Sequence, residues 1–167
     1  QRLITYLQAG QYKQLKAYRA IALQEQRARL VNSITSAIRK SLNPSEIFAI
    51  AVTQLGSVLN VDRCIIYRCA QDDADATIRH EYRLPHINSL ERTAWPLKNN
   101  PLYQWVKAHQ NTLAIDDVTH SPEALDINLA TSQTRLHRWQ IHGCLLVPLI
   151  HKNRLLGMIE LHLAGNP

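Results

Sequence analysis

The stretch 154-RLLGMIELHL-163 decides the fold, because apolar side chains at most of its positions predict a β-strand. Residues 143-GCLLVPLI-150 predict a second strand, and the segment HKNR predicts a turn that joins the two into a hairpin. Alternation along the last strand assigns one face to Leu156, Met158, Glu160 and His162. It assigns the other face, which we expect to be the continuous core, to Leu155, Gly157, Ile159, Leu161 and Leu163. Glu160 and His162 therefore either line a cavity or face water.

Two more strand-like segments lie earlier, 63-RCIIYRC-69 and 76-ATIRHEYR-83, and the acidic turn QDDAD between them predicts another hairpin. The segments CIIY and CLLVPLI are apolar on both faces, so the sheet requires cover on both sides. The intervening chain predicts a loop over 84–100, a short helix from Pro101, a strand at 112–115 and a helix over 123–140. We expect an α+β fold, a central antiparallel sheet with helices on both faces and a pocket under the segment 84–140.

The N-terminal third predicts helices. Residues 11–42 contain neither Pro nor Gly, which favours one long helix that Gly10 separates from a shorter segment. The string SLNPSEIF predicts a second helix over 44–59, with Asn43 as its cap. A seven-residue pattern in the long helix suits a twin helix in a second copy, although Arg27 interrupts it at one seam position; the apolar positions are Ala20, Leu23, Leu30, Ile34 and Ala37. The alternative is a helix packed only on its own domain. We divide the chain into a linker or coiled-coil-type helix, 1–42, and a globular domain, 43–167.

Composition narrows the class of protein. A chain of 167 residues with 46% hydrophobic side chains supports one ordinary core, and three cysteines with no signal-like segment predict a cytoplasmic location. No run approaches the roughly 18 apolar residues of a membrane span. Residues 1–42 carry eight basic side chains against one acid, whereas the remainder carries 11 against 12. We therefore expect a solvated basic helix rather than nucleic-acid binding. Because the chain starts without Met, we expect it to be part of a larger protein.

Five strings in order resemble a GAF domain of the cyanobacterial and phytochrome-like signalling type, over roughly residues 30–165: IRKSLNPSEIFAIAV, VDRCIIYR, LAIDDV, WQIHGCLLVPLI and RLLGMIELH. The resemblance implies a central antiparallel sheet with a ligand cavity on one face and helices on the other. It also implies a sensory or regulatory module of a larger protein, often a histidine kinase, with an output domain in the same chain. Parallel homodimerisation through the flanking helices, here residues 11–42, is implied as well.

The chain departs from the relatives whose ligands are best known. Bilin-binding relatives attach the chromophore through a Cys followed by His, and the matching positions here are Thr131 and Ser132. The Asp-x-Cys-Phe attachment motif and the Asn-Lys-x-x-x-Phe-x-x-x-Asp-Glu pattern of cyclic-nucleotide-binding relatives are absent from the sequence. A covalent bilin is therefore disfavoured, and the cofactor is unknown.

The candidate site gathers around Glu160 and His162. In the resemblance, His162 matches a histidine that approaches the ligand and Tyr67 matches a tyrosine of the same cavity. Cys69 shares a strand face with Tyr67 and is either a pocket thiol or core. The remaining candidate ligand contacts, each with plain packing or turn capping as its alternative, are Tyr103, Trp105, Asp117 and Trp139.

Three functional hypotheses follow. The first is a GAF-like module that couples small-molecule or redox sensing in a pocket to a dimeric helix. The second is a purely structural dimerisation module whose pocket is filled by side chains, and the third is a bilin photoreceptor without the usual attachment cysteine. With no Gly-rich phosphate loop, no metal-binding spacing and no nucleophile beside a base, the sequence does not indicate an enzyme.

Overall fold

The computed structural model describes residues 2–40, 43–70 and 72–164, and the chain divides into two compact units, residues 1–42 and 43–167. The first unit is one helix, α1 (Arg2–Lys40). It runs through Gly10, so the predicted interruption there is wrong; one glycine costs a helix only about 1 kcal/mol relative to alanine. The predicted helix end at Leu42 lies outside the described residues.

The second unit begins with α2 (Pro44–Leu59), as predicted. The Asn43 side chain accepts a hydrogen bond from the Ser45 amide at 3.0 Å, and Pro44 fills the first helical position. The helix ends where Asn60 adopts a left-handed conformation with φ of 52°. On its buried face α2 packs against Cys64, Ile66 and Leu161 of the sheet.

Five antiparallel strands form the central sheet in the order β3-β1-β7-β6-β5, which confirms the α+β fold. Their bounds are β1 (Arg63–Arg68), β3 (His80–Arg83), β5 (Leu113–Ile115), β6 (Gly143–His151) and β7 (Arg154–Leu163). Two residues with positive φ, Lys152 and Asn153, form the tight β6–β7 turn. The central pair β1–β7 places Arg63 opposite His162 and Ile65 opposite Glu160.

The predicted strand 76–83 is wrong as a single element. Its first part is β2 (Asp75–Thr77), which pairs with β4 (Ala94–Pro96) in a separate two-stranded sheet, and only its second part, β3, pairs with β1. Between them the backbone of Ile78 bonds to Thr93 and Arg92, which carries the chain from one sheet to the other. The predicted loop 84–100 therefore contains a strand.

The segment 84–140 forms the roof over the other face of the sheet, as expected, except for β5, which is an edge strand of the sheet itself. The roof includes α3 (Pro101–His109), which begins at Pro101 as predicted. The predicted helix over 123–140 is instead three short pieces: α4 (Pro122–Asp126), a 3₁₀ turn (Leu129–Ser132) and α5 (Gln133–Arg138). Asn128, in a left-handed conformation with φ of 57°, separates the first two.

Apolar packing occurs on both sides of the sheet, and the roof side holds the larger cluster. Met158, Glu160 and His162 face the roof, so the expectation that the continuous core lies on the opposite face is wrong. A register shift leaves Leu156 as an extra residue between the pairs Gly157–Leu149 and Leu155–Ile150. Leu155 consequently packs with the roof-side core, contrary to simple alternation, and Leu156 is 49% exposed.

Candidate functional site

Five side chains form a buried polar cluster between the sheet and the roof: Arg63 and Tyr67 from β1, Glu160 and His162 from β7, and Trp95 from β4. Each of the five is at most 3% exposed. They converge because odd-numbered residues of β1 and even-numbered residues of β7 point to the same face of this antiparallel pair. Tyr67 and His162, predicted to share a chamber, do lie on the same side of the sheet.

The Glu160 carboxylate is the hub of the polar cluster. Its Oε1 accepts hydrogen bonds from the Tyr67 hydroxyl and from the Trp95 indole N–H, the latter at 3.1 Å. Its Oε2 lies 3.1 Å from Nε2 of His162. Burial, followed by the neighbouring carboxylate, holds the pKa of Tyr67 well above its usual range, so the phenol remains a donor.

Hydrogen-bond geometry assigns the tautomer of His162. Nη1 of Arg63 lies 3.4 Å from Nδ1 of His162, and a guanidinium can only donate. Nδ1 is therefore the acceptor, so the ring is neutral and carries its proton on Nε2, which donates to Glu160. With this assignment Glu160 accepts from three donors, which is the pattern of an ionised carboxylate.

Arg63 connects the sheet to the roof. Its guanidinium donates to the carbonyl oxygens of Trp139, at 2.8 Å, and Asn88, at 2.7 Å. Its Nε forms an ion pair with Glu81 at 3.2 Å, and the two side chains are 1% and 4% exposed. Burial lowers the pKa of Arg63, while Glu81 opposes that shift. A fully buried arginine is thus held by one carboxylate and two backbone carbonyls.

Aromatic rings fill the space above the polar cluster. Trp95 stacks on Trp139 at a centroid distance of 4.3 Å and on His162 at 5.9 Å. The Arg135 guanidinium lies 5.7 Å from the Trp139 ring, on the half-buried side of the roof. We call Trp139, Trp95 and His162 the aromatic column; it leads from the half-buried roof surface to the polar cluster.

Cys69 and Tyr103 belong to the same roof-side core. The Tyr103 hydroxyl is buried without a hydrogen bond of normal geometry, although the Cys69 thiol lies close enough to influence its pKa. Burial raises the pKa of Cys69, which leaves the thiol protonated and weakly nucleophilic. Their role as ligand contacts stays a prediction.

Trp105 and Asp117 have local partners. The Trp105 ring stacks on His109 within α3 at a centroid distance of 4.2 Å. Asp117 bonds to the Thr119 and His120 amides and lies 3.0 Å from the His120 ring. The His120 side chain, followed by the Thr119 amide, lowers the pKa of Asp117 to about 2. These contacts match the turn-capping alternative for Asp117, and ligand contact stays a prediction for both residues.

Thr131 and Ser132, the positions matched to the chromophore-attachment pair, lie in the 3₁₀ turn of the roof. Thr131 is exposed and Ser132 is buried. Neither side chain offers a thiol.

Sequence reasoning missed Trp95 and Arg63. The sequence predicts a loop around Trp95, and the one signal there is a large aromatic residue in that loop. The predicted strand begins at Arg63, and the available signal there is a charged residue beside the apolar run CIIY.

Two negative findings apply to residues 2–40, 43–70 and 72–164. Across these ranges, no three His, Cys, Asp or Glu side chains are grouped so that they could hold a metal ion. Within the same ranges, no helix has both the length and the apolar character that crossing a bilayer requires.

A family model for the GAF domain matches residues 43–167. Among curated proteins, the chain is similar to the circadian input-output histidine kinase CikA of Thermosynechococcus vestitus, with 26% identity over 87% of this chain. The CikA protein of Synechococcus elongatus is 27% identical over 86% of the chain. In each case the match spans 21% of the relative, so the chain corresponds to about a fifth of these kinases.

Solved structures share the fold at lower identity. The phycoerythrobilin-bound GAF domain from a cyanobacterial phytochrome superposes with a TM-score of 0.68 and 16% identity, covering 86% of this chain and 84% of that one. The GAF domain of a phosphoenolpyruvate-protein phosphotransferase from Coxiella burnetii gives a TM-score of 0.63 and 16% identity, covering 82% and 77%. The same architecture therefore occurs in proteins that differ in output.

Proposed function

The chain belongs to the GAF domain family, and we propose that it is the regulatory module of a larger cytoplasmic signalling protein with a histidine kinase output. The support for a kinase output is the similarity to two histidine kinases, of which the chain spans about a fifth. In this proposal residues 1–42 are the linker helix, residues 43–167 are the sensory domain, and the output domain lies in the same polypeptide.

The signal is proposed to be a small planar molecule that enters the chamber beneath the roof. The observation that supports this is the polar cluster, a buried carboxylate surrounded by Tyr67, Trp95 and His162 under a stacked ring. Trp139 is half-buried at the roof end of the column and is the ring that a ligand would displace from Trp95. The ligand would stack on Trp95 in place of Trp139 and would form hydrogen bonds to Glu160. These contacts would supply its affinity and its orientation.

The same contacts favour one alternative, a structural module with a filled chamber. Every hydrogen-bonding atom of the Glu160 carboxylate already has a partner inside the protein, and aromatic rings occupy the space above it. A ligand must therefore offer more than these internal contacts, since it shifts an equilibrium only by its differential affinity for the open state.

Native mass spectrometry of the chain purified from its own host cells separates the two candidates. Sensing predicts an added mass, one small molecule per chain, that disappears in Trp95→Leu. The control is Tyr82→Leu, which removes an aromatic ring from the opposite face of the sheet and is expected to keep the added mass. A bare protein mass at micromolar concentration contradicts chamber sensing and favours the filled module. Production with a bilin source tests the photoreceptor alternative, since a non-covalent bilin would give a coloured protein.

Signal transfer is proposed to run through a parallel homodimer of residues 11–42. All described side chains from residue 14 to residue 29 are exposed. They include Leu23, a member of the seven-residue pattern that is 49% exposed, and a twin helix packed on that pattern would relieve its exposure.

Light scattering after size-exclusion chromatography tests the dimer. The wild-type chain is expected to give twice the mass of one subunit, and Leu23→Lys to give one subunit. Gln24→Lys adds the same charge one position away, outside the seven-residue pattern, and is expected to stay dimeric. Leu30→Cys is expected to cross-link to itself if the helices are parallel. A monomeric wild type would refute this part of the proposal.

A further inference from the structure

A cleft of about 1130 Å³ opens at the end of the sheet where β1 finishes and the β6–β7 hairpin turns. Its walls come from residues 66–70, 75–77, 79–80 and 153–156, with the start of α2 below and the end of α3 above. We call it the hairpin cleft. Its lining shares Tyr67 with the polar cluster but includes none of Arg63, Trp95, Glu160 and His162, so most of the cluster lies outside it.

The hairpin cleft carries a surplus of positive charge. Four of its lining residues are cationic, namely Arg68, Arg79, Lys107 and Arg154, and two are acidic, Asp73 and Asp75. The Asp73 carboxylate already accepts a hydrogen bond from the Ala70 amide at 2.6 Å. The two carboxylates offset only part of the charge of the four cations, so the lining keeps a net positive charge and the field in the cleft favours an anion.

Three of these cations are arginines with exposed guanidinium groups. Within the described ranges, the guanidinium groups of Arg68, Arg79 and Arg154 form no hydrogen bond or ion pair, and all three residues are exposed. By contrast, other arginines of the domain donate to backbone carbonyl oxygens: Arg63 to Trp139, Arg83 to Ile87 and Arg135 to Asn99. A guanidinium presents five N–H donors in a plane and binds carboxylate, sulfonate or phosphate groups bidentately.

The floor of the hairpin cleft is apolar. Phe48 of α2 lines it and packs on the His80 ring at a centroid distance of 5.8 Å. Leu149, Leu155 and Leu156 of the hairpin complete it. The register shift leaves Leu156 half exposed, so an apolar surface stays open beside Arg154. An apolar floor with guanidinium groups at its border suits a ligand that has an apolar body and an anionic head.

We propose that the hairpin cleft binds a small organic anion, a carboxylate, sulfonate or phosphate carried on an aromatic or aliphatic body. Arg68 and Arg154 hold the anionic group, and Phe48 and Leu156 contact the body. This proposal can be tested separately from the chamber proposal, because Arg68, Arg154, Phe48 and Leu156 take no part in the hydrogen bonds around Glu160; of the polar cluster, only Tyr67 also lines the cleft.

Titration calorimetry of the whole chain with naphthalene-2-sulfonate tests the site, with 2-naphthalenemethanol as the neutral counterpart and inorganic phosphate as the bare anion. The sulfonate is expected to bind with a Kd below about 1 mM, and each comparison compound at least tenfold more weakly, since one lacks the charge and the other the apolar body. The double variant Arg68→Gln/Arg154→Gln is expected to weaken sulfonate binding at least tenfold with an unchanged melting temperature.

Arg19→Gln/Arg39→Gln is the matched control, since it removes two exposed positive charges from α1 and is expected to leave binding unchanged. If 2-naphthalenemethanol bound as tightly as the sulfonate, the hairpin cleft would be a non-specific apolar surface, and the proposal would be overturned. An equal loss of sulfonate affinity in the control would assign binding to net charge. No loss in the double variant would place the binding site elsewhere, and either result would overturn the proposal. Binding of hexaglutamate without binding of the sulfonate would indicate an acidic protein partner, which also overturns it.

Discussion

Replacing Glu160 by Gln tests the hydrogen-bond assignment in the polar cluster. Gln has one acceptor oxygen and one donor amide in place of two acceptor oxygens. If the oxygen keeps Tyr67 and Trp95, the new N–H group meets the N–H of His162. Moving the His162 proton to Nδ1 only transfers the conflict to Arg63, which lies 3.4 Å away and can only donate. Turning the amide round places it against the Trp95 indole, which is also only a donor.

The expected cost exceeds that of an ordinary polar substitution. The variant loses a charge-assisted hydrogen bond, about 1.5 to 3 kcal/mol, and buries at least one donor without an acceptor, about 1 to 3 kcal/mol. These terms overlap, so we expect a loss of about 3 kcal/mol in the free energy of unfolding, or about 10 °C in melting temperature for a domain of this size. Urea unfolding followed by tryptophan fluorescence and far-ultraviolet circular dichroism measures it.

A double-mutant cycle isolates the conflict between the amide and the imidazole. His162→Phe keeps a ring against Trp95 but removes both ring nitrogens, so Glu160→Gln no longer faces a fixed donor there. The Gln substitution is therefore expected to cost at least 1 kcal/mol less in the Phe background than in the wild type. A coupling energy below about 0.5 kcal/mol, or a single variant as stable as the wild type, would mean that the His162 tautomer is not fixed as described.

Three further predictions concern other parts of the domain. Because the folded-state pKa of Asp117 is lowered to about 2, its stabilising contribution should be complete above pH 4 and be lost as the pH falls toward 2; a carbon-13 titration and comparison with Asp117→Asn check this. Burial raises the pKa of Cys64 and Cys144 to about 12, so iodoacetamide at pH 7.5 should label them only after unfolding, and rapid native labelling would contradict their burial. A methyl group on Gly56 would lie 1.9 Å from Cδ1 of Tyr82, so Gly56→Ala should destabilise the domain by about 1 to 2 kcal/mol despite its better helix propensity; an unchanged urea midpoint would show that the ring moves aside.

The central strands were predictable because their apolar content is set by burial on both faces. Residues 143–150 and 154–163 pair as the sequence predicted, with a two-residue turn between them. The break between β2 and β3 was not predictable from alternation, since the polar and apolar pattern of ATIRHEYR continues while its pairing partner changes. In the roof, helix-forming side chains over 123–140 gave no sign that Asn128 would take a left-handed conformation and break the helix.

The residues of the candidate site that lie on strands were predictable, because strand periodicity determines which side chains share a face. Tyr67, Glu160 and His162 share a face because positions two apart on a strand always do. Trp139 and Trp95 come from an irregular roof, where no period links sequence position to direction, and their stacking depends on how the roof folds back over the sheet. Leu156 could not be placed either, since a one-residue register shift reverses the faces of the residues before it.

The buried polar groups divide into two sets with different physical reasons. Arg63 donates to the carbonyls of Trp139 and Asn88, and Glu81 accepts from the Leu90 amide and the Ser89 hydroxyl. An irregular roof leaves such backbone groups without ladder partners, so replacing this ion pair with apolar residues would leave them unsatisfied.

Tyr67, Trp95, Glu160 and His162 behave differently, because their polar atoms bond to one another and to Arg63, and to no backbone group that the structure describes. Apolar residues of similar volume could replace all four without leaving a roof carbonyl or amide unpaired, and buried ionic groups rarely stabilise more than such replacements. Folding therefore accounts for the polarity of Arg63 and Glu81 but not for that of these four side chains. Their polarity is therefore the observation that supports the proposed ligand site.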